Sequence, residues 1–247
     1  MTILKNKNIL ITGAGKGIGE SCVHNVILNG GYVYALIKNK KDNKKFKKFK
    51  NVKIFNGNVN NKKLIFKIFS ESKKNNKPIN GVINNAGIRF RKSFLNINKK
   101  DLSNVFDVNF FSIFNVMQIF TKFIINNKMK GSIVNISSIV GKLGFEDLSG
   151  YASSKGALTA LTKSYAVEMS NNNIRANTIS PGFVKTSYFN DFKKKRKKIY
   201  NWTLSRIPQK RWAEPEEVAE LISFVLSDKS NYLSGEDISI DGGWSNA

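Results

Sequence analysis

Short apolar runs recur along the chain, and they are continuous rather than alternating with polar residues. Asn8–Thr12 (NILIT), Tyr32–Ile37 (YVYALI), Val52–Phe55, Gly81–Asn84, Ser132–Ile136, Ile174–Ile179 and Asp237–Ile240 have this character. Strands of that kind are buried on both faces, as in a parallel sheet covered by helices. Helical patterns separate them at Gly17–Leu28, Lys62–Ser72, Asp101–Asn126 and Tyr151–Met169. Gly30-Gly31 stops the first of these, and Pro78 precedes the fourth strand. Lys38–Lys50 is Lys/Asn-rich but holds Phe46 and Phe49, and reads as a poor helix with a solvated face. The alternation predicts an α/β fold: a doubly wound, parallel, seven-stranded sheet with helices on both faces. No linker, repeat or composition break divides the 247 residues, so 1–247 is expected to be a single domain.

Composition narrows the function classes. Apolar residues make up 41% of the chain, enough to build a core, so disorder throughout is not expected. Cys22 is the only cysteine and His24 the only histidine. An intrachain disulfide, a Cys- or His-rich metal site and a Ser-His-Asp triad are therefore not expected. No run of 18 or more apolar residues occurs, so no membrane span is expected. The stretch from Met1 to Gly13 reads as a strand entering a glycine turn, with no room for a signal peptide, and the chain is expected to be cytoplasmic.

The formal net charge is +24, which raises nucleic acid, an anionic membrane surface or an acidic partner. Yet 35 of the 41 basic residues are lysine, and Asn, Ile and Phe are also favoured. That bias is what an A/T-rich coding sequence imposes on a tolerant surface. The basic runs lack the aromatic interleaving of a single-strand platform, and neither nucleic acid nor a membrane is expected as partner. In this background an arginine carries more information than a lysine.

Thr12-Gly13-Ala14-Gly15-Lys16-Gly17-Ile18-Gly19 joins the first strand to the first helix. Glycines let the backbone approach a pyrophosphate, and a helix N-terminus offers free N–H groups and partial positive charge. Gly13, Gly17 and Gly19 match G-x-x-x-G-x-G, not G-x-G-x-x-G. This makes the fold Rossmann-type and the ligand a dinucleotide. The second strand runs into Lys38 with no acid until Asp42, and Lys16 sits in the turn. Two lysines without a carboxylate suit a 2′-phosphate, so NADP(H) is the preferred cofactor and NAD(H) the alternative.

Tyr151 and Lys155 are spaced i, i+4 on one helix face. A neighbouring ammonium favours phenolate and brings a phenol towards acid–base work near neutral pH. Ser137-Ser138 follow the fifth strand and Asn84-Asn85-Ala86-Gly87 end the fourth, at the sheet edge that holds the glycine turn. Asn109 is a polar amide inside an apolar helix and needs partners. Lys185–Trp212 follows the sixth strand, carries the basic run 193–198, and is a candidate substrate lid at 185–212.

Taken together, these segments resemble the short-chain dehydrogenase/reductases. The likeness covers almost the whole chain: TGAGKGIG (12–19), NNAG (84–87), Asn109, NISS (135–138), YASSK (151–155), PGFVKT (181–186) and SGEDISIDGG (234–243). It implies that Tyr151 is the catalytic acid–base, that Lys155 binds the nicotinamide ribose and lowers the tyrosine pKa, that Ser138 orients the carbonyl and that Asn109 maintains a water relay. Cofactor contacts would come from Gly13, Gly15, Lys16, Gly17, Ile18, Gly19, Lys38, Asn85, Ala86, Gly87, Pro181, Gly182, Val184 and Thr186. Asn58-Val59 stands where the family usually has Asp-Val, and its amide oxygen can still accept from adenine.

For the substrate, NNAGIRFRKSF (84–94) and IPQKRWAEPEEVAE (207–220) resemble gluconate 5-dehydrogenases and related sugar-acid or polyol enzymes. Arg89 and Arg91 would then clamp a substrate carboxylate. The alternative is a 3-oxoacyl-acyl-carrier-protein reductase, with Lys128, Lys130 or the 193–198 run against an acidic carrier protein. A catalytically idle binding protein is a third reading, opposed by the intact Asn109, Ser138, Tyr151 and Lys155. The resemblance also implies a homotetramer built on Asp101–Asn126 and Tyr151–Met169.

Overall fold

The computed structural model describes residues 2–187 and 189–247, and Asp191 through its backbone alone. The expected start at Met1, and Tyr188 within the expected lid, lie outside the described residues. The strands are β1 (Asn8–Thr12), β2 (Tyr32–Ile37), β3 (Val52–Asn56), β4 (Gly81–Asn84), β5 (Gly131–Ile136), β6 (Ile174–Pro181) and β7 (Asp237–Ile240). They form one sheet in the order β3-β2-β1-β4-β5-β6-β7. Every pairing is parallel. Ile9 lies opposite Val33 on one side and Gly81 on the other, so the strand order reverses at β1. Such a reversal opens a crevice beyond the carboxyl ends of the strands.

The helices are α1 (Gly17–Leu28), α2 (Lys62–Lys74), α3 (Lys99–Phe106), α4 (Ser112–Asn126), α5 (Ser149–Glu168), α6 (Phe189–Lys195), α7 (Lys197–Arg206) and α8 (Pro215–Leu226). Alternate strand residues face opposite layers. Ile9, Ile11, Val33 and Ala35 pack with Val26 of α1 and Ile222 of α8. Leu10, Tyr34 and Leu36 pack with Ile68 of α2, Phe120 of α4 and Leu158 of α5. Burial of each large apolar side chain in these layers contributes about 1.5–3 kcal/mol. This is the doubly wound single-domain architecture that the apolar pattern predicts.

α3 and α4 run together as one helix, Lys99–Asn126, through a π turn at Asp107–Phe111. It is long and apolar enough to cross a membrane by length and composition, although no uninterrupted apolar run of that length exists. Its inner side chains, Val116 and Phe120 among them, are wholly buried against the sheet.

Three segments differ from the sequence expectation. Lys38–Lys50 forms a 3-10 turn at Lys40–Lys45 rather than a poor helix. Phe46 anchors it, with the His24 ring 5.6 Å away, so the lone histidine is a packing residue. The stretch 185–212, given no helix among the sequence-predicted elements, carries α6 and α7. Helix α8 is absent from the predicted elements, because its capping box uses Glu214 and Glu217 instead of a Ser, Thr, Asp or Asn cap.

Arg175, at the start of β6, joins the sheet to α8. Its guanidinium donates to the carbonyls of Leu233, Val225 and Ser227 at 3.0–3.1 Å. An ammonium cannot span the same carbonyls from one point. Arg175→Lys is expected to cost about 1–3 kcal/mol by leaving carbonyls unpaired. Urea unfolding measures it; an unchanged midpoint would show that the fork contributes nothing.

Candidate active site

The ends of β1 and β4 are bonded to each other. The Thr12 hydroxyl accepts from the backbone N–H of Asn85 and of Ala86, each at 3.1 Å. The Asn85 amide donates to the carbonyls of Thr12 and Gly13, also at 3.1 Å. Asn84 and Asn85 therefore have separate tasks: the Asn84 amide points inward and donates to Asn135 at 2.8 Å. This brace holds the glycine turn against the first residues after β4.

The turn has no room for side chains. Gly13 adopts φ +65°, and a Cβ there would meet Ala86 Cα at 2.9 Å. A Cβ on Gly19 would sit 2.3 Å from the Gly13 carbonyl oxygen. Lys16 is the N-cap of α1, is extended, and supplies no side-chain cap. The first N–H groups of a twelve-residue helix thus face the crevice without a side-chain acceptor. A narrow glycine cradle backed by an uncapped helix start fits a pyrophosphate.

At the far end of the cradle Lys38 is exposed beyond β2. Asp42, which the sequence offers as the first acid after β2, and Lys45, which sequence reasoning passed over, also stand there. Asp42 is buried, with its carboxylate 3.1 Å from where a Gly15 Cβ would be. Lys45 donates to the Gly15 carbonyl at 2.9 Å and pairs with Glu20 at 2.6 Å. Their signal was diluted by the lysines around them. Val59 is buried in the α2 layer, while Asn58 is exposed and its side-chain oxygen accepts from Asn60 N–H at 3.0 Å.

The proton chemistry gathers at the ends of β5 and the start of α5. Lys155 is buried and its ammonium donates to the Ile136 carbonyl at 2.7 Å. The Ser137 hydroxyl donates to the Lys155 carbonyl at 3.1 Å, locking helix to strand. The Lys155 Nζ lies 5.9 Å from the centre of the Tyr151 ring. Burial raises the phenol's pKa, and the Arg89 charge and a hydrogen bond with Ser138 pull it back. Asn109 is fully buried inside the π turn. Its amide closes on the 88 position, accepting from Ile88 N–H at 2.8 Å and donating to Ile88 O at 3.0 Å. It also donates to the Ser154 hydroxyl at 3.2 Å.

A cavity of about 790 Å³ opens over these groups. Gly87, Ser138, Tyr151, Lys155, Pro181 and Thr186 line it together, as do Ile18, Asn85, Gly182 and Val184. Thr186 touches the glycine turn: a Cβ on Gly17 would lie 3.0 Å from its methyl group. Arg89 and Arg91 also line the cavity, but Arg91 pairs with Asp147 at 3.4 Å. The segment between Phe183 and Ala213 rises over the mouth as α6 and α7. Its base is closed by backbone bonds from Ala213 N–H to Phe183 O and from Lys185 N–H to Ala213 O, both 2.9 Å. Under it lies a separate apolar cluster of Ile139, Phe192, Ile207, Trp212 and Trp244. The aromatic density of 183–212 was the unused sequence signal for this roof.

A family model described as enoyl-(acyl carrier protein) reductase matches residues 13–245. The chain belongs to the short-chain dehydrogenase/reductases. It is 34% identical over 245 residues to a 3-oxoacyl-[acyl-carrier-protein] reductase of Thermotoga maritima, covering 97% of this chain and 98% of that one. It is 33% identical to carbonyl reductase [NADPH] 2 of Sus scrofa, covering 95% of each chain. A crystal structure of a putative gluconate dehydrogenase from Agrobacterium tumefaciens superposes with a TM-score of 0.92 at 26% identity, covering 100% of this chain and 98% of that one. This short-chain dehydrogenase/reductase is accordingly an NAD(P)-dependent oxidoreductase acting between carbonyl and alcohol.

Two outcomes test the geometry. Gly19→Ala should abolish dinucleotide binding, because its Cβ drives into the Gly13 carbonyl; retained NADPH fluorescence enhancement would contradict it. Burial also lowers the Lys155 pKa from 10.5 to about 8. The unfolded chain then binds that proton more tightly, so the native state is penalised below about 8 and relieved as pH rises towards 10.5. Measured against Lys155→Met on both sides of that window, wild-type urea stability should gain with pH. A constant difference would refute the burial effect.

Proposed function

We propose that the protein interconverts a ketone and a secondary alcohol with NADP(H), using Ser138, Tyr151 and Lys155 as its proton-handling group. The observation that carries this reading is their convergence in one cavity with the glycine cradle at the strand reversal. The nicotinamide, when bound, supplies the hydride. The residues of the chain do the rest. The Ser138 hydroxyl orients the carbonyl oxygen. The Tyr151 phenol gives that oxygen its proton in reduction and takes it back in oxidation. Lys155 holds the nicotinamide ribose and resupplies charge beside the phenol. Asn109, in its π turn, positions the Ile88 segment and a relay water. Val184 and Thr186, with Pro181 and Gly182, border the nicotinamide end.

For the cofactor, Lys16, Lys38 and Lys45 support a 2′-phosphate at the far end of the cradle, while Asp42 opposes it. NADP(H) is therefore preferred and NAD(H) the second choice. For the substrate, the sugar-acid reading rests on Arg89 and Arg91 in the cavity lining, of which Arg91 also pairs with Asp147. The 3-oxoacyl-acyl-carrier-protein reductase reading rests on the exposed basic run of α6 and α7. The exposed Leu102, Phe111, Phe114 and Val167 on α3, the π turn, α4 and α5 support a homotetramer buried along these helices. We take the enzyme to act in the cytoplasm and 185–212 to act as the lid.

Tyr151→Phe should lower turnover by about 10²- to 10⁴-fold while leaving NADPH binding intact. Residual activity near wild type would remove Tyr151 from its role. Tryptophan and cofactor fluorescence titrations should give tighter binding of NADPH than of NADH. The reverse order would assign the ribose end to Asp42 rather than to the lysines.

A further inference from the structure

We propose that Lys142, which stands outside the cavity lining, is a positioning residue for the reaction: it pins the turn that aims the Ser138 hydroxyl. This rests on the carbonyl–alcohol reading above and adds to it a residue that acts through another.

Ser138 caps a single 3-10 turn, Ile139–Gly141. Its hydroxyl oxygen accepts from the backbone N–H of Val140 at 3.2 Å, and its carbonyl accepts from that of Gly141 at 2.9 Å. A hydroxyl has one hydrogen and two lone pairs. With one lone pair committed inside the turn, the hydrogen is left for an acceptor in the cavity that Ser138 lines. Where that hydroxyl points therefore follows where the turn sits. One helical turn fixes several dihedrals for few hydrogen bonds and does not hold itself.

Its neighbours hold it from two sides. On the α5 side the turn lies against backbone: a Cβ on Gly141 would meet the Lys155 carbonyl carbon at 3.0 Å and the Gly156 nitrogen at 3.1 Å. On the β7 side Lys142, the next residue, reaches across. Its ammonium donates to the Asp237 carbonyl at 2.9 Å and to the Ser239 hydroxyl at 3.0 Å, and pairs with the Asp237 carboxylate at 3.2 Å. An ammonium with three N–H donors thus meets three acceptors. The Asp237 side chain is only 6% exposed, so its charge needs that partner. The carboxylate also accepts from the Ser180 hydroxyl of β6 at 2.5 Å and the Thr159 hydroxyl of α5 at 3.4 Å. Thr159 stands one helical turn beyond Lys155. The anchor is therefore shared by β6, β7 and the helix that carries Tyr151 and Lys155. Removing the ammonium frees the turn on one side and leaves a nearly buried carboxylate with hydroxyl partners alone.

The test is NADPH oxidation with whichever of 5-ketogluconate, acetoacetyl-coenzyme A and ethyl acetoacetate the wild-type protein reduces fastest. Lys142→Met should lower kcat about tenfold and leave KM and NADPH affinity within about twofold, because aim matters most in the transition state. In a Ser138→Ala background the same substitution should change kcat by less than about twofold, since its effect passes through the hydroxyl. Asp237→Asn removes the charge but keeps the carbonyl and Ser239 acceptors, and should lower kcat alone by about threefold. It carries the test if Lys142→Met does not fold. Unchanged kcat, an equal fall in the Ser138→Ala background, or NADPH affinity lost in step with kcat overturns the positioning role while the carbonyl–alcohol reading stands. Wild-type protein that binds NADPH and reduces none of the three ketones overturns both.

Discussion

The hydroxyl of Thr12 is the point on which the site depends. It accepts the backbone N–H groups of Asn85 and Ala86, and so ties the end of β1 to the end of β4. The Asn85 amide returns the tie through the Thr12 and Gly13 carbonyls. These bonds sit where the strand order reverses and neighbouring strand ends diverge to leave a crevice. With the turn fixed, the absence of Cβ atoms at Gly13, Gly17 and Gly19 becomes a groove of set width. Without the tie, the same glycines would be free chain, each with a large entropy to lose.

A second polar chain holds the catalytic helix to the sheet. Asn84 donates to Asn135, and Asn135 donates to Thr162 of α5 at 2.8 Å. Lys155 and Ser137 add bonds between the end of β5 and the same helix. Buried polar groups in such a chain are costly unless paired, so each specifies its neighbour. One consequence is visible at Lys155. Its ammonium is kept in a dry place by a carbonyl alone, and its pKa falls to about 8. The protein holds there a charge that favours chemistry over stability.

The strands and most of the site were legible because they depend on local chemistry. Continuous apolar runs gave the two-faced burial of β1, β2 and β4 to β6, and Tyr151 with Lys155 gave one helix face. Other parts were not legible, for physical reasons. Helix α8 begins with an acidic cap in place of the usual hydroxyl or amide. The roof of α6 and α7 forms because Phe189, Tyr200 and Trp212 pack on one another, with ring centres 5.1–5.8 Å apart, and not because of helical periodicity. Asp42 and Lys45 reach Gly15 only through the 3-10 turn that Phe46 anchors. Spacing brings Lys155 to the face of Tyr151, but the bond of its ammonium to the Ile136 carbonyl and the arrival of Arg89 from another strand end appear only in the fold.

The arginines give the charge its meaning. Lysine dominates this surface, and most of it meets water. Where a flat, forked donor is needed, arginine appears instead. Arg175 spans carbonyls of Leu233, Val225 and Ser227. Arg211 grips both oxygens of Glu217 at 2.7 Å and holds that carboxyl down at about 2. Arg206 lies 6.0 Å from the centre of the Trp244 ring. Arg91 meets Asp147. An ammonium would not serve as well at Arg175 or Arg211, where one group spans several acceptors. Arg89 belongs to the same set and lines the cavity together with Tyr151. The net charge of +24 thus says little about what the protein binds, whereas the few positions that departed from lysine say much more.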